Sequence, residues 1–236
     1  MKKYLLYLLL MSQCLSVGFA QQQATAPPQE HAVAGRVPSA ESIWSDLMEG
    51  NRRFVNGKTE TVDVVPLRHS LAKGQQPKVI VLACSDSRVA PEILFDKNLG
   101  DLFVVRSAGN IADAIGVGSI EYALEHLGSS VLVVLGHEKC GAVSAACSGD
   151  KMPTPNLQAI VDKISPAVTR AKIHAKADEL VEAAILENVQ QSAKDVVASS
   201  EVLQHFLHDG KLTVFEAVYE LGSGKVVQLG KVSGHD

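Results

Sequence analysis

The stretch V-I-V-L-A-C-S-D-S-R-V-A-P-E, residues 79–92, combines a strand pattern with a group of chemically reactive side chains. An apolar run ends at Cys84, and an acid and a base, Asp86 and Arg88, follow within four positions. A continuous apolar run, rather than an alternating one, is typical of a parallel strand that is covered on both faces. The stretch therefore predicts a buried strand that ends in a thiol, a carboxylate and a guanidinium.

The rest of the chain repeats this strand pattern and alternates it with helical patterns. Strands are predicted at 78–83, 102–105 and 130–135, with a helical segment, G-S-I-E-Y-A-L-E-H-L, between the second and third. Apolar spacings of three and four predict helices over 157–171, 177–192 and 194–208, and the chain closes with strand, Gly-Ser-Gly turn and strand. This order predicts an α/β fold with a central, mostly parallel sheet flanked by helices.

The N-terminal residues have the layout of a secretory signal peptide. Lys2 and Lys3 precede a short apolar run, and Gly18 and Ala20 provide small residues before a cut at Gln21. We therefore expect a signal peptide over 1–20 and export to the periplasm, with secretion as the lesser alternative. The apolar run is too short to span a bilayer, so no stable membrane insertion is expected.

After the signal peptide we expect a flexible leader over 21–39 and a single catalytic domain over 40–236. The leader is rich in Gln, Ala and Pro, and Ser39 is placed to cap a first helix whose apolar stripe includes Trp44. The composition, 46% hydrophobic and 20% charged, is that of an ordinary globular domain. The formal net charge of -4 is not that of a nucleic-acid-binding protein, which typically carries an excess of Lys and Arg, so a nucleic-acid partner is not expected.

A second chemical motif, H-E-K-C, follows the third predicted strand at 137–140. Because the carboxyl ends of parallel strands meet at one edge of a sheet, His137 and Cys140 are expected beside Cys84. Two thiolates and an imidazole suit one zinc ion per chain with an open fourth position, left to water or to Asp86. Arg88 would hold Asp86 ionised through a bidentate pair. No role is assigned to Cys147.

These motifs resemble the β-class carbonic anhydrases. The resemblance runs from about residue 43 to 227 and rests on C-S-D-S-R at 84–88 and G-H-x-x-C-G at 136–141. It is supported by G-N-x-R-F at 50–54, G-D-L-F-V-V-R-S-A-G-N at 100–110 and G-S-I-E-Y-A at 118–123. The resemblance implies reversible hydration of carbon dioxide to bicarbonate and a proton. The nucleophile would be a zinc-bound hydroxide oriented by Asp86 and Arg88.

The resemblance also implies a substrate cleft and an assembly. The matching cleft positions are Gln75, Phe103, Tyr122 and Gly141. Family members form dimers or tetramers in which N-terminal helices clasp the partner, so a homodimer or tetramer is expected, with the helix around Trp44 as the arm.

One departure from the family pattern predicts how the site behaves. Members with an inhibitory bicarbonate pocket carry Trp three residues before the first zinc ligand, where this chain has Val81. We therefore predict the always-open type, with Asp86 off the metal at neutral pH; in the switching type the matching Asp is the fourth ligand of an inactive form. Ser107, where many members have Asn, is a further difference without an assigned meaning.

Two alternatives stay open at the level of the sequence. The same scaffold could hydrolyse carbonyl sulfide or carbon disulfide. The chain could also be a non-catalytic zinc-binding or redox-responsive module in which Cys140 pairs with Cys147. The presence of both Asp86 and Arg88 argues against the second alternative, because a storage site needs neither.

Overall fold

Five strands form the centre of the computed structural model, which describes residues 38–234. They are β1 (Val79–Cys84), β2 (Leu102–Ser107), β3 (Val131–His137), β4 (Thr213–Tyr219) and β5 (Val226–Ser233). The strand order is β2-β1-β3-β4-β5, and only the β4–β5 pair is antiparallel. The mostly parallel sheet predicted from the sequence is confirmed. The expected signal peptide and residues 21–37 of the expected leader lie outside the described residues.

Eight helices cover the sheet in the described part of the chain. They are α1 (Ala40–Val55), α2 (Val64–Leu71), α3 (Pro91–Leu94), α4 (Ala114–Leu127), α5 (Gly141–Ser148), α6 (Pro155–His174), α7 (Leu180–Ala198) and α8 (Glu201–His208). Within residues 38–234, none of them is both long and apolar enough to cross a membrane.

Side-chain caps explain where several of these helices begin. Ser39 accepts a hydrogen bond from the Ser42 amide at 3.2 Å, which confirms it as the cap of α1. Ser200 caps α8 by accepting from the Leu203 amide at 3.1 Å. The single helix predicted over 194–208 is therefore wrong: α7 runs on to Ala198, and the capping serine starts a separate helix because its side chain replaces the missing first-turn hydrogen bonds.

The two faces of the sheet bury separate cores. Ile80 and Leu82 of β1 point into the core beneath α4 to α8, whereas Val79, Val81 and Ala83 point into the core beneath α1 and α3. All of them are at most 4% exposed. Burial on both faces is the physical reason for the continuous apolar run.

Helix α1 packs on the sheet of its own chain. The Trp44 ring stacks on Phe215 of β4 with centroids 4.7 Å apart and planes at 8°. Gly50 allows the helix to approach α3, because a Cβ there would lie 1.8 Å from the Phe95 carbonyl oxygen. The apolar stripe expected to clasp a partner is thus buried within the chain. Helix α2 instead leaves Val64 and Val65 each 53% exposed.

The strands extend further than predicted at their carboxyl ends. Cys84 and His137 were expected just past β1 and β3, but they are the last residues of these strands. Pairing with neighbours explains the extension, since Cys84 is opposite Ser107 and His137 is opposite Tyr219. The adjacent parallel strands β1 and β3 bring both side chains to one edge of the sheet.

Candidate metal centre

Three buried ligand-type side chains meet at the carboxyl edge of the sheet. The sulfurs of Cys84 and Cys140 and a ring nitrogen of His137 all lie within 4.8 Å of one another. Cys84 is 5% exposed, Cys140 is 1% exposed and His137 is 0% exposed. One ion with bonds of about 2.0–2.3 Å can contact all three, and the donor set of two sulfurs and one imidazole suits zinc.

The orientation of the His137 ring provides a second test of fit. Its Nδ1 lies 2.8 Å from the backbone oxygen of Glu138, which can only accept, so Nδ1 donates and Nε2 keeps its lone pair. Nε2 is buried and has no hydrogen-bond partner among residues 38–234. A buried lone pair that faces two thiols is what a bound metal ion would satisfy.

The turn between β3 and α5 brings Cys140 back to this edge. Glu138 is fixed on both sides, since its amide donates to the Tyr219 oxygen at 3.0 Å and its carboxylate accepts from the Leu221 amide at 2.9 Å. Lys139 adopts a left-handed conformation with φ of 52°, which reverses the chain. Cys140 then sits at the N-cap of α5 and directly precedes Gly141.

The two thiols are electrostatically coupled. A hydrogen bond from Cys140 lowers the pKa of the Cys84 thiol to about 4, and the Gly109 amide, which donates to Cys84 Sγ at 3.3 Å, acts in the same direction. The same shared proton raises the pKa of Cys140, and its burial adds to this. These contacts favour the thiolate form of Cys84, and thiolate is the form in which cysteine binds a metal ion.

Asp86 and Arg88 form the predicted bidentate pair. Arg88 Nε donates to Asp86 Oδ1 at 2.9 Å, and Arg88 Nη2 donates to Oδ2 at 2.7 Å. This hydrogen bonding holds the pKa of Asp86 far below its usual range. Oδ2 also lies 3.9 Å from His137 Nε2. The ionised carboxylate therefore borders the ligand cluster, on the side where the Arg88 side chain is 51% exposed.

Arg106 is a site residue that the sequence reasoning missed. From β2, its Nε donates to the Cys84 oxygen at 3.0 Å and its Nη2 donates to the Asp86 oxygen at 2.8 Å. It thereby ties down the backbone on both sides of Ser85. The available signal was a charged residue directly after the strand predicted over 102–105.

Three of the four expected cleft residues lie away from this cluster within the chain. Phe103 of β2 is opposite Ile80 of β1. Ile80 precedes Cys84 by four positions, which places Phe103 about 13 Å from Cys84 along the strand direction. Its ring centroid is 6.4 Å from that of Tyr122, which is 49% exposed. Gln75 lines a depression with Gly100, at the amino end of β2. Only Gly141 of the four adjoins a ligand, Cys140.

The position of Cys147 bears on the redox alternative. Cys140, Cys147 and Cys84 are free thiols, and Cys147 is half-buried on α5. Cys140 and Cys147 are separated by seven residues of helix, a rise of about 10 Å. Because a disulfide requires Cα atoms within about 7 Å, pairing them would require α5 to unwind.

Comparison with known proteins agrees with this geometry. A family model described as carbonic anhydrase matches residues 79–226, more than half of the chain. "Carbonic anhydrase 2" of Mycobacterium tuberculosis is 36% identical over 79% of this chain and 91% of its own length. The carbonic anhydrase of Mycolicibacterium smegmatis is 37% identical over 78% of this chain and 91% of its own length.

A solved structure shows the same architecture. The Coccomyxa beta-carbonic anhydrase in complex with acetazolamide superposes with a TM-score of 0.62 and 27% identity, covering 74% of this chain and 90% of that chain. The motifs, the sheet topology, the ligand cluster and the relatives agree with one another. The chain therefore belongs to the β-class carbonic anhydrase family of enzymes.

Proposed function

We propose that the enzyme uses one zinc ion on Cys84, His137 and Cys140 for the reversible hydration of carbon dioxide to bicarbonate and a proton. The observation that carries this proposal is the buried, unpartnered His137 Nε2, which faces two thiols beside an ionised Asp86. Zinc bound there would supply an activated water with a pKa lowered to about 7.

In this proposal Asp86 and Arg88 orient the reacting water. An ionised carboxylate only accepts, so Asp86 would take a hydrogen bond from that water and aim its lone pair at the carbon of the substrate. Arg88 fixes the carboxylate by two parallel hydrogen bonds and keeps it ionised throughout the physiological pH range. Arg106 would hold the loop in register through its two backbone contacts.

The pairing of Asp86 with Arg88 supports the always-open type. The Asp86 carboxylate accepts hydrogen bonds from two nitrogens of Arg88. The backbone oxygen of Asp86 accepts one from Arg106. Val81, at the position where a Trp would mark the bicarbonate pocket, is fully buried in the core beneath α1. We therefore propose that Asp86 stays off the metal at neutral pH.

The assembly is proposed to be a homodimer or a tetramer. Supporting it, Gln75, Phe103 and Tyr122 lie away from the ligand cluster of their own chain, where they would be free to line the cleft of a second copy. Val64 and Val65 of α2 offer exposed apolar surface for such a contact. Sedimentation of the purified protein would test this, and a monomer at all concentrations would contradict it.

Export to the periplasm is proposed from residues 1–20 alone. It would be tested by N-terminal sequencing of the protein recovered from cell fractions. We expect a periplasmic protein that begins at Gln21; a cytoplasmic protein that begins at Met1 would contradict the proposal.

The activity itself is tested by stopped-flow hydration of carbon dioxide with a pH indicator, run beside a zinc assay. We expect one zinc per chain and fast hydration in the wild type. Asp86→Ala should keep the zinc and lose at least a hundredfold in kcat, because the ligands remain while the orienting carboxylate is gone. Asp101→Ala, away from the site, is the matched control and should match the wild type.

Two outcomes would contradict the proposal in different ways. Zinc-loaded wild type without hydration would overturn the substrate and favour the sulfur analogues carbonyl sulfide or carbon disulfide. Wild type that binds no zinc would overturn the metal centre.

A further inference from the structure

A buried amide outside the ligand set contacts the metal centre through the backbone. Asn188 lies in α7 and is 0% exposed. Its Nδ2 donates to the Gly109 oxygen at 2.8 Å, whereas its Oδ1 has no hydrogen-bond partner among the described residues. A buried amide oxygen without a partner costs about 1–3 kcal/mol. An apolar side chain of similar size would avoid this cost, so the bond to Gly109 is the feature that distinguishes Asn188 from its apolar neighbours.

The turn that Asn188 holds is conformationally demanding. Gly109 and Asn110 both adopt positive φ, 81° and 48°. A Cβ on Gly109 would lie 2.7 Å from the Cδ1 atom of Ile164, so only glycine fits both the conformation and the space. Asn188 Nδ2 also lies 3.5 Å from Asn110 Oδ1, a longer second contact with the same turn.

The other side of Gly109 faces a ligand. Its amide donates to Cys84 Sγ at 3.3 Å. Since Gly109 has no side chain to anchor it, the hydrogen bond at its carbonyl fixes the direction in which its N–H points. An N–H that donates to the sulfur orients it and can keep doing so when the sulfur binds a metal ion. Partners that orient ligands in this way commonly change metal affinity by ten- to a hundredfold.

We propose that Asn188 is a positioning residue for the metal centre: by holding the Gly109 carbonyl it aims the Gly109 N–H at Cys84 Sγ and so favours metal binding by that thiolate. The inference rests on the zinc site of the proposed function and adds to it a residue of α7. Neither the motifs nor the ligand cluster contains Asn188.

The test compares Asn188→Leu with Ser192→Ala. Leucine keeps the branched shape and the number of side-chain heavy atoms, and it removes the donor. Ser192 is the matched control, because it lies one turn further along α7, is 3% exposed and has no hydrogen-bond partner among the described residues for its Oγ. The zinc dissociation constant is measured by competition with a chelator, and the thiolate-to-metal absorption is recorded with Co²⁺. We expect Asn188→Leu to bind zinc ten- to a hundredfold more weakly with a shifted absorption band, and Ser192→Ala to stay within twofold.

The outcomes separate the inference from the proposed function. A folded Asn188→Leu protein with unchanged zinc affinity and absorption would overturn the inference and leave only a structural role, while the proposed function would stand. Wild type that binds no metal would overturn both. If Asn188→Leu does not fold, wild-type protein loaded with ¹¹³Cd gives a second test by NMR. A scalar coupling between the Gly109 amide and the metal is expected, and its absence would overturn the inference.

Discussion

At the scale of single residues, Arg106 is expected to matter for turnover more than for metal binding. It contacts two backbone oxygens of the loop, those of Cys84 and Asp86, and no ligand atom. Arg106→Met should lower kcat by about tenfold or more while zinc stays bound, because the loop that carries Asp86 loses two anchors. Stopped-flow rates and zinc content measure the two effects, with Arg68→Met on α2 as the control. Loss of zinc in Arg106→Met would contradict this division of roles.

Glu216 is a buried carboxylate that the site does not use. It is 6% exposed on β4 and packs against Gly230 of β5. Burial raises its pKa above the ordinary value, and Lys194 only partly offsets this. The carboxyl is protonated in both states below about pH 4, and the unfolded chain ionises more readily above the ordinary pKa of about 4.3. Glu216 therefore costs stability increasingly as the pH rises through its folded pKa.

Glu216→Gln should remove that cost. We expect a gain in the free energy of unfolding at pH 7, where burial of the ionised carboxylate is unfavourable, and little or no gain near pH 4. Urea unfolding at both pH values measures it, with the exposed Glu125→Gln as control. An equal effect at the two pH values would show that ionisation is not the cause.

At the scale of elements, the docking of α1 on the sheet is expected to stabilise the folded chain itself. Trp44 is 7% exposed and stacks on Phe215. Trp44→Ala should therefore lower the free energy of unfolding by about 3–5 kcal/mol. As a control, Ile173→Ala on α6, where the side chain is 82% exposed, should cost less than about 0.5 kcal/mol. A Trp44→Ala protein of unchanged unfolding free energy but altered oligomeric state would indicate that α1 packs on a partner instead.

The elements that the sequence predicted best are those with long apolar runs. Strands β1 and β3 were recognisable because both faces are buried, and Ser39 marked the start of α1. A break between two helices was predicted near residue 193, but its true position at Ser199 and Ser200 was not predictable from spacing, since apolar residues continue across it. The packing of α1 on its own sheet was not predicted, because a stripe of apolar residues does not say which surface will cover it; its expected role as a dimerisation arm stays a prediction.

At the scale of the whole molecule, the cluster of ligand-type side chains was predictable and its supporting contacts were not. Cys84, His137 and Cys140 follow from residue type and from the meeting of parallel strand ends. Arg106 and Asn188 act on backbone atoms, and the sequence does not reveal which backbone groups lie beside them. Asn188 and Gly109 are 79 positions apart in the sequence. Their hydrogen bond therefore exists only once α7 has packed on the sheet. The cleft role proposed for Phe103 and Tyr122 would likewise depend on an assembly beyond one chain.

The central claim is that zinc binds at the strand ends of β1 and β3 with Asp86 left off the metal. A crystal structure of the zinc-loaded protein at neutral pH tests it most directly. We expect zinc bonded to Cys84 Sγ, His137 Nε2 and Cys140 Sγ, with Asp86 still paired to Arg88. An Asp86 oxygen on the metal, or zinc bound elsewhere, would contradict it.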